Sequence, residues 1–231
     1  MVKTMTLVKI CGITEIDHAV AALEAGADML GFVFAPSRRQ IAPAVATEII
    51  QRLRNRFPRE SRTWLAVGVF AGQPLAFVES TAALCGLDVV QLSGEEPLES
   101  SLKLALPVFK TVHLSGLERS ANPVCLRESI AEAARTLKEA QHPGSRLLLD
   151  CGGSGRWGGT GRSFDWQAVG QAARDCIVAG GLNPSNVGAA IAVMHPWAVD
   201  VSSGVETDGR KNLDLIRRFV SAVRRTDNHA D

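Results

Sequence analysis

No run in this 231-residue chain approaches the roughly 20 consecutive apolar residues needed to span a bilayer. The opening stretch "MVKTMTLVKI" lacks the long apolar core of a signal peptide and is broken by Lys9. Neither sign of charge predominates, with 25 basic residues against 24 acidic ones and a formal net charge of +1. That balance argues against a nucleic-acid or membrane-surface partner. There is no C-x-x-C pair: Cys11, Cys85, Cys125, Cys151 and Cys176 are odd in number and scattered, which argues against a metal site or a redox motif. Reduced thiols in a cytoplasmic protein are expected instead. Low-complexity tracts and interdomain linkers are missing too.

What is present is ordinary globular composition, 46% hydrophobic and 21% charged, enough to bury one sizeable core. Short apolar runs alternate with longer amphipathic, Ala-rich segments. Strands are expected at 6–10, 29–34, 64–70, 89–92, 108–114, 146–150, 176–180 and 198–202. Runs such as "LLLD" and "CIVAG" are apolar throughout, as in strands of a parallel sheet buried on both faces. Between them, "EIDHAVAALEAG" follows a candidate cap at Thr14 and stops at Gly26, and "PAVATEIIQRLRNRF" starts with Pro43. "LRESIAEAARTLKEAQ" and "NLDLIRRFVSAVRR" carry apolar positions at helical spacing, "FDWQAVGQAARD" and "NPSNVGAAIAVM" are shorter helical patterns, and weaker ones lie near 74–83 and 97–104.

Eight strands and eight helices in strict alternation predict an α/β fold, a single-domain (β/α)8 TIM barrel, slightly shorter than the usual length of about 250 residues. A doubly wound open sheet is the alternative, but "KICGIT" after the first strand is not G-x-G-x-x-G. The catalytic domain is expected over 1–225, with 226–231 a polar tail expected to be disordered.

In a barrel of this kind the chemistry sits at the C-terminal ends of the strands. Cys11 and Gly12 follow the first strand, and Ser37, Arg38 and Arg39 lie in the loop after the second. The loops after strands seven and eight carry Gly180, Gly181, Asn183 and Ser202, Ser203, Gly204, a donor-rich pair where such barrels bind phosphate. The loop after strand six is Gly-rich and too long for an ordinary connector. Its segment Gly158, Gly159, Thr160, Gly161 and Arg162 is expected to close over a ligand as a lid. Asp150 ends strand six either as a loop organiser or as a catalytic acid. Adjacent arginines are usually solvated, although one at a strand-end loop can grip a carboxylate in bidentate fashion. His113 reads as structural. Cys11 is either a small buried hydrophobe or a thiol held out for chemistry.

The stretches "VKICGIT", "GFVFAPSRRQIAP", "VGVF", "VVQLSGEE", "LLLD", "GGTGRSFDW", "VAGGLNPSNV" and "VDVSSGVE" run in order from residue 8 to 206. In these the chain closely resembles the phosphoribosylanthranilate isomerases of tryptophan biosynthesis. The resemblance implies a cofactor-free, metal-free Amadori rearrangement of N-(5-phosphoribosyl)anthranilate. It further implies Asp150 as the general acid that opens the ribose ring, Cys11 as the general base at C2′, and Arg39 on the anthranilate carboxylate. The loops at 180–183 and 202–204 would hold the phosphate. A thiol serves as base near neutral pH if its surroundings lower its pKa modestly. The implied partner is a small phosphorylated substrate, with the protein a monomer or homodimer.

Three departures from the family pattern stand out: Ser93 where histidine is common, Arg162 where lysine is common, and the insert "CGGSGRW". Indole-glycerol-phosphate synthase, a rival on the same phosphate loops, needs lysine and glutamate at strand ends, and no matching glutamate set is evident. Aspartate in place of Cys11 would have suited a dual-specificity relative. A binding paralogue without turnover would be expected to have lost Cys11 or Asp150.

Overall fold

A computed structural model describes residues 5–58, 63–101, 103–114, 123–140, 144–150 and 166–229. Eight parallel strands close on themselves in chain order: β1 (Leu7–Cys11), β2 (Met29–Val33), β3 (Leu65–Phe70), β4 (Val89–Leu92), β5 (Val108–His113), β6 (Arg146–Asp150), β7 (Ile177–Ala179) and β8 (Ala198–Val201). The last strand pairs with the first, Lys9 opposite Asp200. The expected TIM barrel is therefore the observed one. Its helices are α1 (Ile16–Ala25), α2 (Pro43–Arg56), α3 (Leu75–Cys85), α4 (Leu98–Ser101), α5 (Pro123–Ala140), α6 (Trp166–Val169), α7 (Val187–Met194) and α8 (Leu213–His229). A short hairpin, β9 (Glu206–Thr207) with β10 (Arg210–Lys211), is inserted between β8 and α8.

The continuous apolar strands are explained by two packed faces. Alternate positions such as Val8, Ile10, Phe32, Leu92, Leu149 and Val201 face the helices, while Met29, Val67, Val89, Phe109, Leu148 and Ile177 fill the barrel. At the N-terminal end Trp197 sits edge-on to Phe109, with centroids 6.0 Å apart, and the Arg146 guanidinium covers the Trp197 ring 4.9 Å away. That end is a plug, so a cavity can open only at the opposite mouth.

One local device recurs. The helices α1 and α3 each stop at a glycine in the left-handed region, Gly26 (φ 106°) and Gly86 (φ 61°). Two residues later Asp28 and Asp88 each accept a 2.8 Å bond from the preceding strand, from the Val8 and Ala66 amides. In these two units the turn after the helix is thus tied back to the unit's own strand.

Two details differ from expectation. The cap of α1 is Glu15 rather than Thr14, with no side-chain capping bond. The stretch expected to be a tail from residue 226 is helical as far as 229, because Asp227 is buried and accepts bonds from the Thr6 amide (3.2 Å) and hydroxyl (2.9 Å). Residues 230–231 lie outside the described residues. Among the described residues, no helix is long and apolar enough to cross a membrane.

Candidate active site at the open mouth of the barrel

A cavity of about 280 Å³ occupies the C-terminal mouth of the barrel. Alternation along the strands decides its lining: Cys11, Val33, Val69, Gln91, Ser93, His113, Leu148, Asp150, Ala179 and Asp200 all point inward. Of the residues expected to carry the chemistry, Cys11, Arg39, Asp150, Gly180, Gly181, Ser202, Ser203 and Gly204 share this one cavity.

Cys11 ends β1 and is 8% exposed. Gly31 faces it across the β1–β2 ladder. A Cβ at Gly31 would lie 2.8 Å from Cys11 Sγ and 3.2 Å from Lys9 Nζ, so only glycine fits beneath this pair. Lys9 is fully buried and donates 2.9 Å to Asp200 Oδ2. Burial pushes the Cys11 thiol above its ordinary value, opposed by the Lys9 ammonium, which pulls it down by charge and hydrogen bond. Asp200 raises it further and Lys211 lowers it. The sequence asked for surroundings that lower the thiol; burial outweighs them.

Arg39 enters from the loop after β2. Its aliphatic stem lies against Gly12, whose φ of +82° and missing side chain leave the space: a Cβ there would sit 2.5 Å from Arg39 Cδ. The guanidinium grips Glu206 in bidentate fashion, Nε to Oε1 at 2.6 Å and Nη2 to Oε2 at 2.9 Å. Arg38 Nη2 joins at 2.8 Å and Lys211 Nζ at 2.7 Å. Burial alone would raise the Glu206 carboxyl, but the bonds from Arg39 and Lys211 hold it below the usual carboxylate range. Lys211 also donates to the Ser202 carbonyl (2.9 Å) and hydroxyl (3.2 Å), and that hydroxyl donates 3.1 Å to the Cys11 carbonyl. The β9–β10 hairpin is what brings Glu206 and Lys211 to the rim.

Opposite Cys11, β6 ends in Asp150, in register with His113 and Ala179. The wall from β4 and β5 is a polar network. Gln91 Nε2 donates 2.8 Å to Ser93 Oγ, which pairs with Thr111 Oγ1 at 3.0 Å, while His113 Nε2 lies 2.9 Å from the Ser93 carbonyl. Ser93, the departure noted above, is the hub of this wall. His113 does line the cavity, although its expected role was structural.

Gly180 and Gly181 both take positive φ, 92° and 67°, which turns the chain back after β7. Gly204 packs directly on the Leu182 carbonyl, and a side chain there would collide with it. Asn183 does not line the cavity. Its Oδ1 accepts bonds from the Ser185 amide (2.8 Å) and hydroxyl (2.5 Å), so it organises the loop. The expected lid of Gly158, Gly159, Thr160, Gly161 and Arg162 lies outside the described residues, as does Cys151. Among the described residues, no group of three or more His, Cys, Asp or Glu is gathered as a metal site would require.

Four participants escaped the sequence reading as site residues: Lys9, Asp200, Glu206 and Lys211. A signal existed for the first two. A lysine inside "LVKIC" and an aspartate inside "AVDVS" are charges in strands buried on both faces, and such charges need each other.

The family model described as N-(5'-phosphoribosyl)anthranilate isomerase matches residues 8–222. The chain is 45% identical to the N-(5'-phosphoribosyl)anthranilate isomerase of Desulforudis audaxviator, covering 95% of this chain and 98% of that one. The phosphoribosyl anthranilate isomerase of Thermotoga maritima superposes with a TM-score of 0.78 at 35% identity, covering 95% and 99% of the two chains. A similar structure, at TM-score 0.74 and 35% identity with the same coverage, is a phosphoribosyl anthranilate isomerase in complex with reduced 1-(o-carboxyphenylamino)-1-deoxyribulose 5-phosphate.

Proposed function

The chain belongs to the N-(5'-phosphoribosyl)anthranilate isomerase family, and from that premise we propose how its cavity performs the reaction. It is an isomerase of tryptophan biosynthesis acting on N-(5'-phosphoribosyl)anthranilate. The substrate presents an aromatic carboxylate, a ribose ring to be opened and a phosphate. The cavity answers each with a different element.

Asp150 gives a proton to the furanose ring oxygen, and the C1′–O bond breaks to leave a protonated Schiff base. Cys11, as thiolate, then takes the C2′ proton. The electron pair of that C–H bond moves toward the imine and gives an enolamine, which tautomerises to the ketone, 1-(2-carboxyphenylamino)-1-deoxyribulose 5-phosphate. Arg39 holds the anthranilate carboxylate. Glu206 occupies Nε and Nη2 on one edge of the guanidinium, so Nη1 and the second Nη2 hydrogen make the edge offered to substrate. The turn at Gly180 and Gly181, with Ser203 and Gly204, receives the phosphate. Asn183 and Ser202 shape those loops.

The observation that carries this reading is one cavity lined at once by Cys11 from β1, Asp150 from β6 and Arg39 from the loop after β2. Its test is the loss of anthranilate-type fluorescence from freshly made substrate. Cys11→Ser and Asp150→Asn are each expected to slow turnover by about a hundredfold or more. An active variant at either position would remove that residue from its role.

A further inference from the structure

A base must be ionised before it can take a proton, and Cys11 lies in a place that opposes ionisation. The structure holds a countermeasure that the acid–base pair does not use. Lys9 Nζ is fully buried, two residues before Cys11 on the same inward face of β1. Nζ and Sγ both crowd the point above Gly31, at 3.2 and 2.8 Å, so they lie within about 6 Å of one another, the range over which an opposite charge favours ionisation. Asp200 anchors Lys9 from the facing strand with one oxygen, Oδ2. The other, Oδ1, is buried with no hydrogen-bond partner among the described residues. An ammonium has three donors, and Asp200 Oδ2 takes one.

We propose that Lys9, held by Asp200, is the positioning residue whose ammonium favours the thiolate form of Cys11 against burial and so readies it for proton abstraction. The inference rests on the base role assigned to Cys11 above. When Cys11 takes the C2′ proton it becomes a neutral thiol, while Lys9 keeps its ammonium charge and Asp200 its carboxylate. The charged groups facing Cys11 are Lys9 from β1, Asp200 from β8 and Lys211 from β10, with Arg39 and Asp150 on the same cavity. Of these, Lys9 is the cation with the largest effect on the thiol.

The test uses the full chain with Lys9→Met, and with Lys9→Met combined with Asp200→Asn. The second variant removes both charges, so no buried carboxylate is left unpaired if the first fails to fold. Alkylation by iodoacetamide is followed against pH, peptide by peptide, by mass spectrometry. Exposed Cys125 is the reference thiol, and Cys176, which burial pushes up to about 12, stays unreactive. The Cys11 profile is expected to move to higher pH by at least about one unit in the single variant and by less in the double, with Cys125 unmoved. The ascending limb of kcat/KM should move with it. A merely structural role would lower Tm and leave both profiles in place. An unmoved Cys11 profile in a folded variant overturns the inference. Retained activity in Cys11→Ala would instead overturn the base assignment, and the inference would fall with it.

Discussion

Glu206→Gln separates the rim network from the chemistry it supports. The carboxylate is 5% exposed and holds Arg39, Arg38 and Lys211 at 2.6 to 2.9 Å. Arg38 is 56% exposed, so water screens its pairing and its share is below about 1 kcal/mol. Arg39 and Lys211, at 13% and 3%, form the buried part. Removing one partner from a buried pair costs about 3–5 kcal/mol. Glutamine keeps the shape and one acceptor, and Lys211 retains both Ser202 oxygens, so about 3 kcal/mol is expected here. For a chain of this size that lowers Tm by roughly 6–12 °C. The pH dependence has a definite sign. The Glu206 carboxyl is held below its ordinary value of 4.5 by Arg39 and Lys211 against the opposing effect of burial. Its stabilisation is therefore complete above about pH 4.5 and lost as pH falls below it. The gap in Tm between wild type and variant, measured by differential scanning calorimetry, should be full at pH 7 and close toward pH 3. In the fluorescence assay a misdirected Arg39 should raise KM by about tenfold, a loss of roughly 1.4 kcal/mol in binding, with kcat changed less. An unchanged KM, or a Tm gap that persists undiminished at pH 3, would refute the reasoning.

Gly12→Ala puts a Cβ 2.5 Å from Arg39 Cδ and 3.2 Å from Ser202 Oγ at a φ of +82°, which should raise KM several-fold and lower Tm by a few degrees. A variant with wild-type KM would show that Arg39 needs no such clearance. Arg224 works at the other end of the barrel, donating to the Thr6 carbonyl (2.6 Å), the Gly26 carbonyl (2.8 Å) and Asp28 (2.8 Å). Arg224→Ala should therefore lose about 2–3 kcal/mol of stability by denaturant titration, yet keep kcat/KM. A large loss of kcat/KM in a folded Arg224→Ala would mean that the two ends of the barrel are coupled.

The sequence and the structure part company in an orderly way. Strand positions were legible because a parallel strand covered on both faces is apolar throughout, as in runs such as "MLGFVF" and "RLLLD". The helix end at Gly26 was legible for a similarly local reason, since a left-handed cap favours glycine, whereas the helix expected near 74–83 runs on to Cys85 before Gly86 stops it. The short helices α4 and α6 were less legible, because a weak amphipathic pattern does not say how many turns survive packing. The last residues of α8 read as a polar tail, but Thr6, more than two hundred positions away, gives Asp227 its partner. Asn183 was expected in the phosphate site with Gly180 and Gly181, but it does not line the cavity, and its bonds to Ser185 brace the loop.

From the sequence alone came the eight βα units, the end of the barrel at which the cavity opens, and residues that line it, Cys11 and Asp150 among them. These follow from periodicity, burial and the common direction of parallel strands, all of which are local in the chain or implied by its repetition. The tertiary structure alone decided which charges meet. Lys9 faces Asp200 because closure places the first strand beside the last. Arg39 faces Glu206 because a hairpin after β8 folds over the loop after β2. Electrostatic energy depends on distances of a few ångströms between groups far apart in the chain, and those distances exist only once the barrel has closed.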